Sequence, residues 1–195
     1  MERRLVLQGI GAGLLVGAGI AIAADQKRGA AVKTTSVEQL QSSWKSLLAA
    51  NAKVAADASP IVKSDDEWRQ ALNPQSYAVL RHEGTEIPFT SPLNDEHRDG
   101  VFVCAGCSLP LFTSAMKFDS GTGWPSYFTT IPGAFQSKSD TKLILPRTEY
   151  HCAKCGGHHG HVFDDGPPPT EQRWCNNGVA LNFVPAGEPL PALRT

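Results

Sequence analysis

The chain contains five cysteines, and their spacing divides them into two close pairs and one isolated residue. Cys104 and Cys107 form one C-x-x-C motif, Cys152 and Cys155 form a second one after 44 intervening residues, and Cys175 stands alone. The two pairs are suited to a structural role. The unpaired thiol is the candidate nucleophile, because a thiolate attacks electrophilic atoms readily and needs no second cysteine for that step.

The paired cysteines predict a zinc site. Each C-x-x-C motif can present two thiolates on one side of a tight turn, and two such turns complete a tetrahedral sulfur shell that suits Zn2+. Gly106 in the first turn, and Gly156 with Gly157 in the second, fit sharp turns that require positive φ. Four sulfur ligands leave no coordination position for water, so the metal is expected to be structural. The alternative is disulfide formation, which an oxidising compartment favours.

The neighbours of Cys175 can activate a thiol. Arg173 lies two residues away, on the same side of an extended strand, where its positive charge is expected to lower the pKa of the thiol. Upstream, residues 158–161 contain three histidines, residues 164–165 are aspartates and residues 167–169 are prolines. Histidines transfer protons near neutral pH, a carboxylate can orient them, and a stiff proline turn can fold them back against Cys175. Two other interpretations stay open here, a buried inert cysteine and an accessory metal site of three histidines.

The first 24 residues are typical of an export signal. Arg3 and Arg4 precede an uncharged stretch from Leu5 to Ala24 that ends in small residues, which is the order of a basic head, an apolar middle and a cleavage site. The letters RRLVLQ at residues 3–8 resemble the twin-arginine signal, whose pathway exports folded proteins. The alternative is an uncleaved anchor, since 20 uncharged residues can span a bilayer. Both interpretations predict a periplasmic or otherwise exported protein.

Charge and composition exclude some classes of partner. The formal net charge is −1, from 18 basic and 19 acidic residues. Loss of residues 1–24 removes Arg3, Arg4 and Glu2, which leaves 16 basic and 18 acidic residues and a charge of −2. A nucleic-acid surface usually needs a concentrated basic face, so no nucleic-acid partner is expected. A membrane is expected as a partner only through the N-terminal segment, if that segment is not cleaved.

Capping patterns predict short helices in the N-terminal part. Residues 25–60 are expected to form a linker and one helix, whose apolar stripe starts after the capping-box spacing of Thr35 and Glu38 and continues to about Ala56. Two further helices are expected, one after a capping box at Ser64 and one after Asn73, where proline occupies the first helical position.

Beyond residue 100, patterns typical of β-strands take over. Strands are expected at residues 101–103, 142–145 and 179–184. The sequence therefore predicts an α+β fold, in which short N-terminal helices precede a mainly antiparallel β domain. That domain is expected to span residues 61–186, with residues 187–195 as a C-terminal tail.

Three segments resemble motifs of the methionine-R-sulfoxide reductases, the MsrB family. They are residues 117–126 (KFDSGTGWPS), 152–167 (CAKCGGHHGHVFDDGP) and 173–177 (RWCNN). Several long motifs in one order are more specific than any single short pattern, and the resemblance covers about residues 62–185. It implies the β-fold of that family, reduction of the R epimer of methionine sulfoxide to methionine, and one structural zinc bound by the four paired cysteines.

The resemblance also assigns roles in the reaction. Cys175 would attack the sulfoxide sulfur and become a sulfenic acid, which is a reversible oxidation state. His158 and His161 would line the pocket and help to protonate the sulfoxide oxygen, directly or through water. Asp165 would orient that network. The substrates would be oxidised proteins or peptides that contain methionine sulfoxide, or the free amino acid.

Three more residues receive supporting roles from the same resemblance. Arg173 would favour the thiolate, and Asn177 would help to fix the pocket. Trp124 would offer an aromatic surface to the substrate methyl group, because sulfur and aromatic rings make favourable contacts.

The chain departs from the family pattern at several positions. Many members have a resolving cysteine where this chain has Thr122, and the other four cysteines are assigned to metal. The chain is therefore expected to be a one-cysteine enzyme, reduced by an external thiol from a thioredoxin-like or glutaredoxin-like protein or from a small molecule. Trp174 replaces a common tyrosine, Asn176 and Gly178 replace an aliphatic residue and a serine, and His159 replaces a common leucine.

Two other classes of function are consistent with parts of the sequence. A zinc-stabilised binding module without catalysis accounts for the paired cysteines, but it leaves Cys175 and the segment around Trp124 unexplained. A metal hydrolase built on the histidines needs three ligands and an open coordination position, and its activity would not depend on Cys175. The export signal together with the family resemblance predicts the repair of exported proteins under oxidative stress.

Overall fold

The computed structural model of the protein describes residues 36–50, 57–143 and 145–195. The expected signal at residues 1–24, the linker that follows it and the end of the first predicted helix lie outside the described residues. No helix among the described residues is long and apolar enough to cross a membrane.

The first helix, α1, runs from Val37 to Ser43 and is shorter than its sequence pattern predicts. Its capping box joins Ser36 to Gln39, one residue later than expected. The chain then tightens into a 3-10 turn at Trp44–Leu47, and Leu48 is extended, so the helix does not continue toward residue 56 as one α-helix. Trp44 and Leu48 are both buried in the core. Their packing ends the helix before Ala49 and Ala50, although alanine favours a helix.

The next two helices confirm the capping signals. Helix α2 spans Asp65–Ala71 and starts with the predicted capping box, in which Ser64 pairs with Glu67. Helix α3 spans Pro74–His82, and the Asn73 side chain accepts a hydrogen bond from the backbone N–H of Ser76. Satisfying these free N–H groups at the first turn is what allows such short helices to form.

In the part of the chain that the structure describes, nine strands form two antiparallel sheets, so the predicted α+β fold with a mainly antiparallel β domain is confirmed. The three-stranded sheet has the order β2-β1-β9, and the six-stranded sheet has the order β3-β4-β8-β7-β6-β5. The strands of the first sheet are β1 (Gly100–Cys104), β2 (Pro110–Thr113) and β9 (Leu181–Pro185). Those of the second are β3 (Lys117–Phe118), β4 (Ser126–Tyr127), β5 (Phe135–Asp140), β6 (Arg147–Cys152), β7 (His158–Phe163) and β8 (Arg173–Asn176).

The strand expected at residues 142–145 is not formed, and that prediction was wrong. These residues belong to the connection between β5 and β6, where Leu143 and Leu145 are 58% and 76% exposed. The apolar residues of this segment resemble the pattern of a strand, which is why a strand was expected here. The actual strand β5 precedes them and was missed, because it is an edge strand with mostly polar, exposed side chains. The last predicted strand is present as β9, but its first residues form a 3-10 turn at Gly178–Ala180.

Aromatic side chains join the two sheets. Phe112 of β2 stacks on Tyr127 of β4 with ring centroids 3.8 Å apart, and Phe102 of β1 meets the same tyrosine edge-on at 5.2 Å. All three side chains are fully buried. Offset and edge-on ring pairs are favourable arrangements in a core, so the sheet that carries Cys175 is packed against a rigid second layer.

Candidate active site

The four paired cysteines meet in one buried cluster. Cys104 ends β1 and Cys152 ends β6, so the cluster links the two sheets. Its sulfur atoms lie within 4.8 Å of one another, with 3.6 Å between Cys104 and Cys155 and 3.5 Å between Cys107 and Cys152. Four sulfurs at about 2.3 Å from one zinc ion would be about 3.8 Å apart, so the donor set fits a tetrahedral metal.

The glycines of the cluster serve two different purposes. Gly156 has φ of 67°, as the turn argument predicts, whereas in the first turn the positive φ of 65° belongs to Ser108 rather than to Gly106. A Cβ atom at Gly106 would lie 3.2 Å from the sulfur of Cys155. Gly106 is therefore needed for close packing beside the sulfur cluster, and the prediction of positive φ at Gly106 was wrong.

Cys175 lies in a separate, partly open cavity of about 140 Å³ on the six-stranded sheet. Its strand β8 runs between β4 and β7, and Cys175 is directly opposite Ser126 on one side and His161 on the other. The cavity is lined by Thr85, Trp124, Arg147, His158, Gly160, His161, Phe163, Cys175, Asn176 and Asn177. Five of the seven sequence-predicted reaction residues line it, and Arg173 and Asp165 do not.

A β-bulge brings His158 and His161 into the same cavity. In a regular strand, residues three apart point to opposite faces. Here the register of β6 and β7 shifts between Tyr150 and His151, which lie opposite Gly160 and His158. The two histidine rings consequently lie 5.6 Å apart in the cavity, while His159 between them is fully buried in the core. Bulges re-aim side chains in this way.

Two carboxylates that the sequence analysis did not single out contact the cavity histidines. Glu149 Oε1 lies 2.8 Å from Nδ1 of His158, and Asp140 Oδ2 lies 2.7 Å from Nε2 of His161. Both carboxylates are buried. Asp140 also pairs with Arg147 at 2.6 Å. Glu149 was detectable as a charged residue inside a run of strand formers, whereas Asp140 lies at the end of the strand that was missed.

The groups around Asp140 and His161 shift the pKa values of both side chains. The backbone N–H of Lys142, followed by His161 and Arg147, holds the pKa of Asp140 well below its usual range. Burial lowers the pKa of His161 in spite of that carboxylate. His161 is therefore a neutral imidazole near pH 7, and its orientation is fixed by an ionised partner.

Asp165 contacts Arg173 instead of the histidines. Arg173 donates from Nε to Oδ1 at 2.7 Å and from Nη2 to Oδ2 at 2.9 Å, and its guanidinium carbon lies 4.3 Å from the ring centroid of Phe163. The expected contact between Asp165 and the histidine network is absent from the described residues. Glu149 and Asp140 contact the histidines instead. Glu149 of β6 lies directly opposite His161 of β7, and Asp140 is the last residue of β5. Asp165 holds the arginine beside Cys175.

The pKa of Cys175 is raised, which corrects the expectation of a lowered value. Burial raises it, and the positive charge of Arg173 and hydrogen bonds from Thr122 and Arg173 oppose that effect without reversing it. Arg173 thus acts in the predicted direction, but the loss of water around a partly buried sulfur is the larger effect. The sequence could not reveal the depth of the thiol, which depends on how three strands and a loop pack around it.

Trp124 and Asn177 are held in place by the loop that carries Glu86. Trp124 Nε1 donates to the backbone oxygen of Glu86 at 2.9 Å. Asn177 Oδ1 accepts from the backbone N–H of Glu86 at 2.8 Å, and its Nδ2 donates to the backbone oxygen of His159 at 2.8 Å. The Asn177 side chain therefore joins this loop to β7, and the tryptophan ring forms one wall of the cavity.

Gly178, one of the departures noted in the sequence, is explained by packing. A Cβ atom there would lie 1.8 Å from the hydroxyl oxygen of Ser91. Its N–H donates to the carboxylate of Glu86 at 2.6 Å, and burial raises the pKa of that carboxylate. A side chain at this position would therefore force the Ser91 side chain to move.

The chain is similar to several known proteins. The family profile described as the SelR domain matches residues 72–185. A protein named peptide methionine sulfoxide reductase MsrB from Leifsonia xyli subsp. xyli is 52% identical over 130 residues, which is 66% of this chain and 94% of that protein. Proteins of the same name from Agrobacterium fabrum and Thiobacillus denitrificans are 52% and 48% identical over 124 residues, 63% of this chain and 92% and 94% of theirs.

The balance of effects on Cys175 gives a prediction for Arg173→Gln. Loss of the guanidinium removes an effect that lowers the pKa of the thiol, so the pKa rises further and less thiolate is present at a given pH. Alkylation of Cys175 by iodoacetamide at pH 7.5, followed by peptide mass mapping, should slow by about tenfold. Arg98→Gln is the matched control, since Arg98 also pairs with a carboxylate and lies over an aromatic ring, Phe183. An unchanged pH midpoint of alkylation in Arg173→Gln would contradict the assignment.

Proposed function

Since the chain belongs to the SelR domain family of peptide methionine sulfoxide reductases, we propose that it reduces the R epimer of methionine sulfoxide to methionine. The observation that carries this proposal is a single cysteine in a small cavity with an aromatic wall and two oriented histidines. A cavity of about 140 Å³ suits one amino-acid side chain rather than a whole ligand of drug size.

The cavity offers a distinct partner for each part of a sulfoxide. The apolar faces of Trp124 and Phe163 suit the methyl and methylene groups, and contact between sulfur and an aromatic ring is favourable. Nδ1 of His158 and Nε2 of His161 contact carboxylates. The other nitrogen of each ring is therefore left for the substrate. On a neutral ring this nitrogen carries a lone pair, so it protonates the sulfoxide oxygen through water or after taking up the thiol proton of Cys175.

The first chemical step uses one thiol and one sulfoxide. The sulfur of Cys175 attacks the sulfoxide sulfur, and the sulfoxide oxygen is protonated with the help of His158 and His161. The oxygen is transferred to Cys175, which becomes a sulfenic acid, and methionine leaves with its sulfur reduced. The proton of the Cys175 thiol ends on the transferred oxygen, so the step is balanced. Because burial raises the pKa of Cys175, the resting enzyme holds this proton until substrate is present.

Stereochemistry follows from the same placement. The sulfoxide sulfur is a stereocentre that carries an oxygen, a methyl group, the substrate chain and a lone pair. If the oxygen faces the histidines, the methyl group faces Trp124 and the chain points to the opening, only one epimer exposes its sulfur to Cys175. The family resemblance assigns this epimer as R.

Return to the thiol needs an external reductant. Thr122, whose hydroxyl lowers the pKa of Cys175, occupies the position where a resolving cysteine would stand, and the other four cysteines are buried in their own cluster. An external thiol therefore attacks the sulfenic acid and releases water, and a second thiol frees Cys175 with formation of a disulfide. A thioredoxin-like or glutaredoxin-like protein or a small thiol would supply both of these thiol groups.

Zinc would be held by Cys104, Cys107, Cys152 and Cys155, where it would neutralise the four thiolates and join the two sheets. Its role is structural, since four sulfurs fill its coordination shell. The N-terminal sequence supports export through the twin-arginine pathway, which would allow the metal to be inserted before translocation. The physiological role would then be repair of oxidised exported proteins.

The proposed function predicts a stoichiometric first turnover. Protein without residues 1–24 is reduced, freed of reductant and mixed with equal amounts of the R and S epimers of a peptide that contains methionine sulfoxide. About one methionine per chain is expected, from the R epimer only, with Cys175 as a trappable sulfenic acid. Cys175→Ser should form none while it keeps metal and fold.

Several results would contradict parts of this scheme. Methionine from the S epimer would overturn the stereochemical assignment, and turnover by Cys175→Ser would favour a different mechanism. A disulfide between Cys175 and any cluster cysteine, found by mass spectrometry of the oxidised enzyme, would show that the sulfenic acid is resolved internally.

The metal proposal predicts one zinc ion per chain in freshly purified protein, measured by elemental analysis. Cys107→Ser should lower the zinc content, and it should also lower the free energy of unfolding by about several kcal/mol. The two changes are linked because the free energy of binding a structural zinc contributes directly to folding. Cys175→Ser is the matched control and should keep both. Metal-free protein with an intact denaturation midpoint would rule out the structural role.

Export is tested by fusing residues 1–30 to a reporter that is active only if it is folded before translocation. The fusion should reach the periplasm of a bacterial host, and replacement of Arg3 and Arg4 by lysine should reduce this strongly. An anchor instead of a cleaved signal would leave the segment attached to the membrane fraction. A reporter found only in the cytoplasm would overturn the proposed location.

A further inference from the structure

Three polar side chains lie in the core directly behind Cys175. Tyr150 of β6, His159 of β7 and Asn176 of β8 are fully buried and occupy three neighbouring strands. Asn176 also lines the cavity, whereas His159 is turned away from the cavity histidines into the core by the bulge in β7. His159 packs edge-on against Phe135, with ring centroids 5.3 Å apart. A polar group at such a site must find partners within the protein.

The side-chain amide of Asn176 is the centre of the hydrogen bonds. Its Oδ1 accepts from the Tyr150 hydroxyl at 3.0 Å and lies 3.2 Å from Nδ1 of His159. Its Nδ2 donates to the backbone oxygen of Asn177 at 2.7 Å, which fixes the orientation of the amide. The Tyr150 hydroxyl also lies 3.1 Å from the backbone oxygen of Cys175 and shares its single proton between the two acceptors.

His159 is neutral in this setting. Burial lowers its pKa to about 4, and Asn176 Oδ1 can only accept, so the ring proton is on Nδ1. Nε2 then presents a buried lone pair that has no hydrogen-bond partner among the described residues. A buried, unsatisfied nitrogen is unfavourable, and two apolar residues of similar shape would avoid it. Stability alone therefore does not account for the pair of His159 and Asn176.

The network touches the backbone of the nucleophile. Gly160 packs so closely on Cys175 that a Cβ atom there would lie 1.9 Å from the Cys175 carbonyl oxygen. The Tyr150 hydroxyl contacts that same oxygen. The carbonyl of Cys175 is thus fixed by a steric contact from β7 and a hydrogen bond from β6. The position of the sulfur relative to Arg173 and to the histidines follows from this.

We propose that His159, Asn176 and Tyr150 act as one positioning unit, which fixes the backbone at Cys175 and thereby the place of its sulfur in the proposed sulfoxide reduction. His159 and Asn176 replace a leucine and an aliphatic residue that are common in the family, and the structure joins these two departures into one hydrogen-bonded pair. His159 orients Asn176, and Asn176 in turn orients the hydroxyl that reaches Cys175.

The unit is tested by the first-turnover rate constant at saturating peptide methionine sulfoxide in zinc-loaded protein. Tyr150→Phe removes only the hydroxyl, and His159→Leu and Asn176→Leu remove the two partners. Each variant should lower this rate constant about tenfold with little change in the substrate concentration needed for half-saturation, since misplacement of a reacting group affects the chemical step. The double variant His159→Leu with Asn176→Leu should also fall about tenfold, not the hundredfold expected of independent effects.

Stability separates positioning from a purely structural role. The double variant restores an apolar core, so its denaturation midpoint should recover relative to the Asn176→Leu variant while its rate does not. Tyr127→Phe is the matched control, because it removes a buried hydroxyl on the adjacent strand β4 that has no hydrogen-bond partner among the described residues, and it should leave the rate unchanged. Rates of Tyr150→Phe and His159→Leu within twofold of the wild type would overturn the proposal, as would a rate that recovers with stability.

A second measurement does not depend on methionine sulfoxide. A displaced Cys175 loses contact with Arg173 and Thr122, so alkylation by iodoacetamide at pH 7.5 should slow several-fold in Tyr150→Phe and His159→Leu but not in Tyr127→Phe. If the wild type reduces neither epimer, the proposed function fails while slower alkylation still supports the positioning unit. Unchanged alkylation in both variants would overturn the unit whatever the wild type reduces.

Discussion

The antiparallel pairing of β7 with β8 is the contact on which the site depends. It sets His161 opposite Cys175, and Gly160 allows the two backbones to approach so closely that no side chain fits between them. The bulge in β7 then divides the three histidines of residues 158–161 between the two faces of the sheet. Because register in a sheet moves whole sets of side chains, one shifted residue decides which histidines line the cavity and which enter the core.

Burial and charge act against each other at the nucleophile. The depth of the cavity raises the pKa of Cys175, and Arg173, held by two hydrogen bonds to Asp165, limits that rise. The histidines are oriented by their own carboxylates, so each charged group in the site has a defined neighbour. Pairing is required here, because buried charges without partners are too unfavourable to persist.

The sequence predicted those features that depend on local spacing. The two C-x-x-C motifs predicted the sulfur cluster, the capping residues at Ser64 and Asn73 predicted two helices, and the prolines after the histidines predicted their return toward Cys175. Features that depend on long-range packing were not accessible. The polar edge strand β5 carries no apolar pattern, so Asp140 was missed.

The sign of the pKa shift at Cys175 was wrong for a related reason. The neighbouring arginine is visible in the sequence, whereas the burial that outweighs it comes from strands and a loop that are distant along the chain. The inward direction of His159 likewise follows from a bulge whose partner residues are in β6. Such features belong to the assembled sheet.

The raised pKa of Cys175 also has a chemical advantage in the proposed repair of oxidative damage. Peroxides oxidise thiolates much faster than thiols, so a nucleophile kept protonated at rest is less exposed to further oxidation. This matters more here than in an enzyme with a resolving cysteine, because Thr122 cannot form a disulfide with oxidised Cys175. In the proposed scheme, the sulfenic acid must last until an external thiol arrives. Partial burial of the sulfur therefore limits overoxidation both of the resting thiol and of the proposed sulfenic acid. Deprotonation is needed only when the sulfoxide occupies the cavity.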